Sequence, residues 1–335
     1  MHISLAFFML FAAFMIMFKA AELFVKSTSN IATILNVPKM IAGIVLMGLA
    51  TTAPEFAVSV QSAYMGHPEI ALGNAVGSVI CDDGIALGLA AVIAPVAIGV
   101  DKKILKVAAI FLIAIYALTY VFAFNGTFSR LEGLVLVASM AGYFYYIFLS
   151  ERRKRRERMT MLIEQASELP LPVGKKDLVR NIMIFLVGLA GVLIASRVVI
   201  WSCLELAAFF KVPEVIVGLT VIAIGTSLPE ISTCLIAARK GEGELAVGDI
   251  IGADILNILW IVGVSALVNP MQVATKVINF MFPWMFLIVG VMLICLRIRY
   301  RIGKPKGVIL LALYVIYLVT TLIYFGPEGL SILGH

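Results

Sequence analysis

The chain has very little charge for its length, and this scarcity excludes most soluble folds. Asp, Glu, Lys and Arg make up 14% of the 335 residues, whereas 62% of the residues are hydrophobic. So small a polar fraction cannot cover the surface of a soluble globule of this size, and most of the exterior must therefore face lipid. The net charge of +6 is accordingly interpreted through its distribution between membrane loops, and no nucleic-acid partner is expected.

Residues that ligate soft metals or form disulfides are also scarce. The only histidines are His2, His67 and His335, at the termini or in a loop, which argues against a buried zinc or copper site built on histidine. The four cysteines all fall inside apolar segments, so we expect free buried thiols and no disulfide framework. No cofactor is expected.

Apolar segments occupy most of the chain, and each is long enough to cross about 30 Å of hydrocarbon as a helix. The predicted fold class is an all-α integral membrane protein with ten transmembrane helices. The first segment lacks a preceding basic region and a small-residue cleavage site, so it is predicted to remain as the first helix. The ten segments cover residues 3–25, 39–65, 70–99, 104–124, 128–149, 181–210, 213–238, 244–268, 277–297 and 307–325.

Basic residues cluster after the odd-numbered segments. The run ERRKRRER at 151–158 follows the fifth segment, and shorter basic stretches follow the other odd ones, whereas the opposite loops carry at most one Lys or Arg each. The positive-inside rule then predicts a multi-pass protein of the inner cell membrane, with both termini outside and residues 150–177 in the cytoplasm. Residues 151–158 are interpreted as a topology anchor, and binding of anionic lipid there is the alternative.

An internal repeat relates the two halves of the chain. Residues 37–95 align without a gap with residues 212–270, and 17 of the 59 positions are identical, ten of them Gly, Pro or Glu. Each half holds five segments, an odd number, so the second copy must enter the membrane in the opposite orientation, as in inverted-repeat transporters. The predicted divisions are a first five-helix repeat at 1–150 with its motif at 43–88, a basic cytoplasmic linker at 151–177, and a second five-helix repeat at 178–335 with its motif at 218–263.

A Pro-Glu pair interrupts an apolar segment in each repeat, in GLATTAPE at 48–55 and GTSLPE at 225–230. Proline inside a helix frees backbone carbonyl oxygens, and the neighbouring Thr and Ser residues add hydroxyls. A glutamate at membrane depth costs about 2.5 kcal/mol or more, which requires a partner. A kinked helix with the glutamate paired to Lys or Arg is one interpretation, but the second, third, seventh and eighth segments carry Lys or Arg only at their ends. An exogenous hard cation such as Na⁺ or Ca²⁺ is therefore favoured.

Further polar residues lie in the segments that follow the Pro-Glu pairs. Asp82 and Asn257 occupy equivalent repeat positions near helix centres and are candidate ligands, although the neutral Asn257 amide could be satisfied by helix packing alone. Asp83, Asp249 and Asp254 remain open between ligand and structural roles, and Asp249 could serve only as a cap or hydrogen-bonding residue, as its repeat counterpart Asn74 could. Two small-xxx-small patterns predict close helix approach: Gly73 with Gly77, and Gly248 with Gly252.

The two motifs resemble those of the calcium/cation antiporter superfamily, particularly the prokaryotic sodium/calcium exchangers, whose repeats carry G-T-S-x-P-E and G-N-x-x-G-S-N-I. Here they read GLATTAPE with GNAVGSVICD, and AIGTSLPE with GDIIGADILN. The resemblance implies a secondary active antiporter, not an enzyme, that exchanges Ca²⁺ for Na⁺ by alternating access, with the first and sixth helices sliding across a fixed core. It also implies a set of ion ligands: Glu55 and Glu230 at the centre, with Asp82 and Asn257; hydroxyls of Thr51, Thr52, Thr226, Ser227 and Ser78; and backbone carbonyls of Gly48 and Ala223.

Several positions depart from the exchanger pattern. Asp82 and Asn257 are swapped between the repeats, Ala253 replaces a serine, and Val79 and Asp254 replace asparagines. The swap still leaves three carboxylates at the four central positions, which suits one divalent ion or several Na⁺ ions in competition. A Ca²⁺/H⁺ antiporter and an exchanger of another cation remain open, as do a cation channel and, with Asp82 and Asp83 as acids, an intramembrane hydrolase. Sequence predicts no oligomeric state.

Overall fold

The computed structural model describes residues 3–66, 68–164, 175–209 and 223–324. Nearly all of these residues are helical, because long apolar segments can satisfy their backbone groups in lipid only within a helix or a closed barrel. Short strands join some of the loops. The helices are α1 Ile3–Ile34, α2 Lys39–Thr51, α3 Ala53–Tyr64, α4 at 68–93, α5 Lys102–Ala123, α6 Arg130–Glu164, α7 Lys175–Phe209, α8 Ala223–Thr226, α9 Leu228–Arg239, α10 Gly243–Val268, α11 Thr275–Arg297 and α12 Lys304–Tyr324. The strands are β1 Ile98–Gly99, β2 Thr127–Phe128, β3 Met271–Gln272 and β4 Arg301–Ile302.

The helices match most of the predicted membrane spans. Eight described helices are long and apolar enough to cross a membrane, and a ninth span results if the bent pair of α2 and α3 is counted as one. The remaining predicted span, residues 213–238, is described only from residue 223 onward. The protein is therefore a multi-pass helical membrane protein with eight or nine spans among its described residues.

Two pairs of short antiparallel strands connect distant loops. Strand β1, after α4, pairs with β4, after α11, whereas β2, after α5, pairs with β3, after α10. The Asn269 side chain, also after α10, donates a hydrogen bond to the carbonyl of Ala63 at the end of α3. These contacts bring together loops for which the sequence predicts the same side of the membrane.

Two helix contacts organise the bundle around glycine. Helix α1 packs along most of α7, and a Cβ at Gly188 would lie 2.7 Å from the backbone of Phe24. Helix α2 crosses α10 so closely that a Cβ at Gly43 would lie 2.5 Å from the carbonyl oxygen of Leu245. Gly248 and Gly252 lie at this second crossing, which confirms the close approach predicted there.

The equivalent contact for the first small-xxx-small pattern, Gly73 with Gly77, would involve residues 210–222 by the repeat alignment. These residues lie outside the described part of the chain.

The linker between the repeats differs from its prediction as a loop. Helix α6 continues past the predicted span end at residue 149 to Glu164, and residues 165–174 lie outside the described part. Arg, Lys, Glu, Met and Leu dominate residues 151–164, and these are strong helix formers that keep a helix going after it leaves the apolar region. The run at 151–158 therefore lies on a helix that extends directly from the membrane span.

Candidate cation site

Each Pro-Glu pair starts a new helix next to a break in the backbone. Helix α2 ends at Thr51 and α3 begins after Thr52, with a bend of 47° between the two helices. Helix α8 likewise gives way to α9 at Ser227, whose φ and ψ of −82° and 6° are close to the −73° and 5° of Thr52. Proline falls in the first turn of α3 and α9, where its missing N–H removes no helical hydrogen bond.

The glutamates that follow these prolines point into the interior. Glu55 and Glu230 are both fully buried, in the first turns of α3 and α9, where the helix dipole favours a negative charge. The Glu55 carboxylate lies beside Ser227 and Thr226 of the second repeat motif, whereas the Glu230 carboxylate lies beside Thr51 of the first. Each Pro-Glu break thus places hydroxyl-bearing residues next to the glutamate of the other break.

Hydrogen bonds between the same segments follow a matching pattern. Thr51 Oγ1 donates to Asp249 Oδ1 over 3.2 Å, and Thr226 Oγ1 donates to Asn74 Oδ1 over 3.1 Å. Thr51 and Thr226 are equivalent in the repeat alignment, and so are Asn74 and Asp249. Asp249 also accepts from Thr233 over 2.7 Å, so its carboxylate is held by two hydroxyls, as expected for a hydrogen-bonding role.

Asp82 and Asn257 each begin a π-helical turn. These turns, Asp82–Leu87 in α4 and Asn257–Val262 in α10, are wider than an α-helical turn and often occur at functional sites. Asp82 is 1% exposed, and the buried acids Glu55, Asp83 and Asp249 act on it electrostatically. Asn257 is fully buried, and neither its amide nitrogen nor its amide oxygen has a hydrogen-bond partner among the described residues.

Six carboxyl groups are buried in this region, whereas none of the buried side chains in the described part of the chain is a Lys or Arg. Five of the six have both oxygens without a hydrogen-bond partner: Glu55, Asp82, Asp83, Glu230 and Asp254. A buried, unpaired carboxylate is strongly unfavourable in a protein interior and in lipid. The described residues supply no buried positive charge, so a bound cation or a proton must compensate these carboxylates.

The carboxylates alone do not form a closed metal site. In the described part of the chain, no three His, Cys, Asp or Glu side chains converge closely enough to hold a metal ion. Any cation would also need hydroxyl, amide or carbonyl oxygens. Unpartnered buried oxygens of this kind are present on Ser78, Ser227 and Asn257.

The backbone ligands implied by the resemblance are engaged differently. The Gly48 carbonyl accepts hydrogen bonds from Thr52 Oγ1 over 2.9 Å and from the Thr52 amide over 3.1 Å. Ala223 begins α8, and the segment before it lies outside the described residues. The structure thus brings together Glu55, Glu230, Asp82, Thr51, Thr226 and Ser227, and adds Asn74 and Asp249 as a hydrogen-bonding layer between the repeats.

The sequence indicates only part of the hydrogen-bonding arrangement around Asn74 and Asp249. Both were noted as an equivalent hydrogen-bonding pair in GNAVG and GDIIG, but their threonine partners were not identified. The signal that could have found them is that Thr51 and Thr226 are identical across the repeat, so one partner position predicts the other.

The fold and this buried region together define a helical membrane protein with an acid-rich, oxygen-lined interior. The sequence model of the family described as "Sodium/calcium exchanger protein" matches residues 5–149 and 180–323. These two ranges cover most of the chain, and the chain belongs to this family. Membership places it among transporters and not among enzymes.

Individual relatives extend over almost the whole chain. The chain is 31% identical over 301 residues to CaxA of Alkalimonas amylolytica, covering 89% of this chain and 92% of the relative. It is 28% identical over 346 residues to the sodium/calcium exchanger MaX1 of Methanosarcina acetivorans, covering 95% and 98%. A solved structure of the sodium-calcium exchanger NCX_Mj, soaked with 100 mM Na⁺ and 10 mM Sr²⁺, superimposes with a TM-score of 0.78 at 26% identity, covering 95% of this chain and 98% of that one.

Proposed function

We propose that the protein is a secondary active antiporter that exchanges Ca²⁺ for Na⁺ across the membrane by alternating access. One observation carries this proposal: four carboxyl groups, those of Glu55, Glu230, Asp82 and Asp249, are buried around the two Pro-Glu breaks without a buried Lys or Arg among the described residues. Such a site needs cations to be stable, and hard oxygen ligands suit Na⁺ and Ca²⁺. The ions are substrates, and no cofactor is involved.

The paired arrangement of the glutamates supports a shared site for the two ions. Ca²⁺ takes about six to eight oxygens, which requires ligands from both repeats, so we place it between Glu55 and Glu230. Na⁺ ions then use the same glutamates with fewer ligands each. Occupancy by Ca²⁺ and by Na⁺ is mutually exclusive because both draw on the same two carboxylates. The full proposed ligand set is Glu55, Glu230, Asp82, Asn257, Thr51, Thr52, Thr226, Ser227 and Ser78, with the carbonyls of Gly48 and Ala223.

The carbonyl of Gly48 becomes a ligand only after a local change. Its two lone pairs are already taken by the hydroxyl and the amide of Thr52. Rotation of the Thr52 side chain would free one of them and turn the hydroxyl itself toward the ion. We therefore assign Thr52 and Gly48 to one outer Na⁺ position, at which the hydroxyl and the carbonyl become available through the same rotation.

The membrane topology belongs to the same proposal. We propose ten spans in two inverted five-helix repeats, at 1–150 and 178–335, with the basic linker 151–177 between them. The pairing of β1 with β4, and of β2 with β3, supports this layout because each pair joins loops predicted on one face. By the positive-inside rule the linker is cytoplasmic and both termini are outside, in an inner cell membrane.

Alternating access requires one part of the bundle to move against another. We propose that α1 and α7, which pack along each other, move as a unit across the remaining helices. An ion pair connects α1 to the loop after α9: Glu22 with Lys240 at 3.2 Å. The pair is partly exposed, so it can break and form again at small cost.

Two alternative activities, Ca²⁺/H⁺ exchange and cation conduction, can be distinguished from Ca²⁺/Na⁺ exchange by experiment. A Ca²⁺/H⁺ antiporter would use the same carboxylates but would not respond to Na⁺. A cation channel would conduct without exchange, whereas interrupted helices around a central site are typical of carriers.

Anionic lipid at residues 151–158 is proposed as a modulating partner of the helix that leaves the membrane there.

The deciding experiment is uptake of radioactive Ca²⁺ into proteoliposomes loaded with Na⁺, with K⁺-loaded vesicles as the control. The proposal predicts uptake only from the Na⁺-loaded vesicles and its loss in Glu55→Gln and in Glu230→Gln. The matched control is Tyr143→Phe on α6, whose buried ring stacks on Phe111 of α5, and this variant should transport normally. Uptake driven by a proton gradient alone would replace Na⁺ by H⁺ in the mechanism.

A further inference from the structure

A second group of polar side chains lies beyond Asp82, away from the two glutamates. It consists of Asp83, on the π-helical turn of α4, and Asp254, one turn before the π-helical turn of α10. The third member is Tyr116, on α5. Asp83 and Asp254 are fully buried and Tyr116 is 1% exposed, so three different helices bury one polar group each at this point.

The two carboxyl groups face each other without a donor between them. Their oxygens lie within hydrogen-bonding reach of one another, and Asp82 is the next acidic neighbour of Asp254. None of the four oxygens of Asp83 and Asp254 has a hydrogen-bond partner among the described residues. Two carboxylates so close together repel each other unless a positive charge lies between them.

The Tyr116 hydroxyl independently indicates a ligand at this point. It is buried and has no hydrogen-bond partner among the described residues. Helix α10, which carries Asp254, contacts both α5 and the π-helical turn of α4 that carries Asp83, and both acids act on the hydroxyl electrostatically. A buried tyrosine normally places its hydroxyl against a partner. The ring packs edge-on against Phe286 of α11, with ring centres 6.5 Å apart and planes at 76°, which orients the hydroxyl.

The repeat separates this group from the central site. Asp83 aligns with Ile258, and Asp254 aligns with Val79, so neither acid has a polar counterpart in the other repeat. The central groups, in contrast, occur as equivalent pairs in both repeats, such as Glu55 with Glu230. The additional acids are therefore not duplicates of the exchange site.

We propose that Asp83, Asp254 and Tyr116 form a second cation site, which holds a single Na⁺ ion behind the exchange site. Two carboxylates and a phenol supply at most five oxygens, fewer than the six to eight that Ca²⁺ takes. Carboxylate and hydroxyl oxygens are hard ligands, which excludes soft metals. The ion compensates the charge of Asp83 and Asp254 and is not itself exchanged for Ca²⁺.

The test is a count of ions bound to the purified full-length protein at saturating ²²Na⁺. We expect Asp254→Asn and Asp83→Asn each to bind one Na⁺ fewer per chain than the wild type. Tyr116→Phe keeps both charges and is expected to weaken one Na⁺ by several fold, whereas Tyr143→Phe, a buried tyrosine on α6, should leave all Na⁺ binding unchanged. Since Tyr116→Phe removes a single oxygen atom, it also reports on the site if an aspartate variant fails to fold.

The outcome is independent of transport. If Glu55→Gln loses Ca²⁺ binding while Asp254→Asn keeps it and loses one Na⁺, both the exchange site and the second site stand. If Asp254→Asn, Asp83→Asn and Tyr116→Phe all bind as much Na⁺ as the wild type, with equal affinity, the second site is refuted. The pair would then hold a proton, and the exchange proposal would be unaffected.

Discussion

Replacing Gly43 by alanine tests whether the crossing of α2 and α10 holds the two repeats together. The new methyl carbon would lie 2.5 Å from the Leu245 carbonyl oxygen and 2.8 Å from the Asp249 amide nitrogen. Both are backbone atoms of a continuous helix, so neither can move aside alone. Ordinary contact begins at 3.4 Å, so the helices would have to separate by the difference, about 0.9 Å. Overpacking of this kind costs about 1–3 kcal/mol.

The separation also acts on the candidate site. Asp249 accepts a hydrogen bond from Thr51 over 3.2 Å across the same crossing, and a shift of this size would break it. Loss of one hydrogen bond to a charged group adds about 1.5–3 kcal/mol. We therefore expect Gly43→Ala to lower the thermal unfolding temperature in detergent and to reduce Na⁺-dependent Ca²⁺ uptake together.

The matched control is Gly142→Ala on α6. No described atom lies within 4 Å of a Cβ at this position, and alanine gains about 1 kcal/mol of helix propensity over glycine. Gly142→Ala should unfold at the same temperature as the wild type or higher. If Gly43→Ala is as stable and as active as Gly142→Ala, the helices are not held at the distance described and the reasoning is refuted.

Three further predictions follow from the buried polar groups and the ion pairs. Asn74→Ala removes the acceptor of Thr226 and the donor to the Glu55 carbonyl and to Ser59, and should lower stability by about 1–3 kcal/mol in thermal unfolding; an unchanged unfolding temperature would contradict this. Glu230→Gln removes an unpaired buried charge, so it should raise the unfolding temperature in buffer free of Na⁺ and Ca²⁺ while abolishing stabilisation by either ion; a lower temperature in ion-free buffer would contradict this. Glu242→Gln breaks a partly exposed pair with Lys39 and should cost at most about 1 kcal/mol, a loss that shrinks with added salt; a cost that is independent of salt would argue against an ionic contribution.

The helix breaks could be predicted from the sequence because their signals are local, whereas the ion ligands stay a prediction. Proline fixes the break, so the positions of Glu55 and Glu230 in first helical turns follow from the Pro-Glu pairs alone. The repeat alignment makes Asp82 and Asn257 equivalent residues, and each begins a π-helical turn. No residue type distinguishes a π-helical turn from an α-helical one, so the turns themselves were not predicted.

The second group of acids depends on how helices cross, and this is where local patterns carry no information. Helices α4 and α10 are buried on nearly all faces, because 78% and 83% of the residues in their apolar stretches are buried. A helix that is apolar all round has no stripe to show which neighbour faces which residue. The pairing of Asp83 with Asp254, and the approach of Tyr116 from α5, therefore follow only from the three-dimensional packing.

The helical start of the linker, residues 151–164, does not follow from the charge pattern. Charged residues after a membrane span mark the water interface, but they do not end a helix when they are strong helix formers. Residues 150–164 carry no Pro and no Gly, the residues that most often end a helix, and α6 continues to Glu164. Helix propensity would have predicted the continuation better than the change in polarity did.

Competition of Ca²⁺ and Na⁺ for the same buried carboxylates can be measured by equilibrium binding, without transport. Purified protein is incubated with ⁴⁵Ca²⁺ at a fixed concentration while NaCl replaces KCl at constant ionic strength. We expect Na⁺ to displace bound Ca²⁺ completely and cooperatively, and Glu55→Gln to bind little Ca²⁺ at any Na⁺ concentration. Ca²⁺ that stays bound at saturating Na⁺, or that binds equally well to Glu55→Gln, would contradict a shared site.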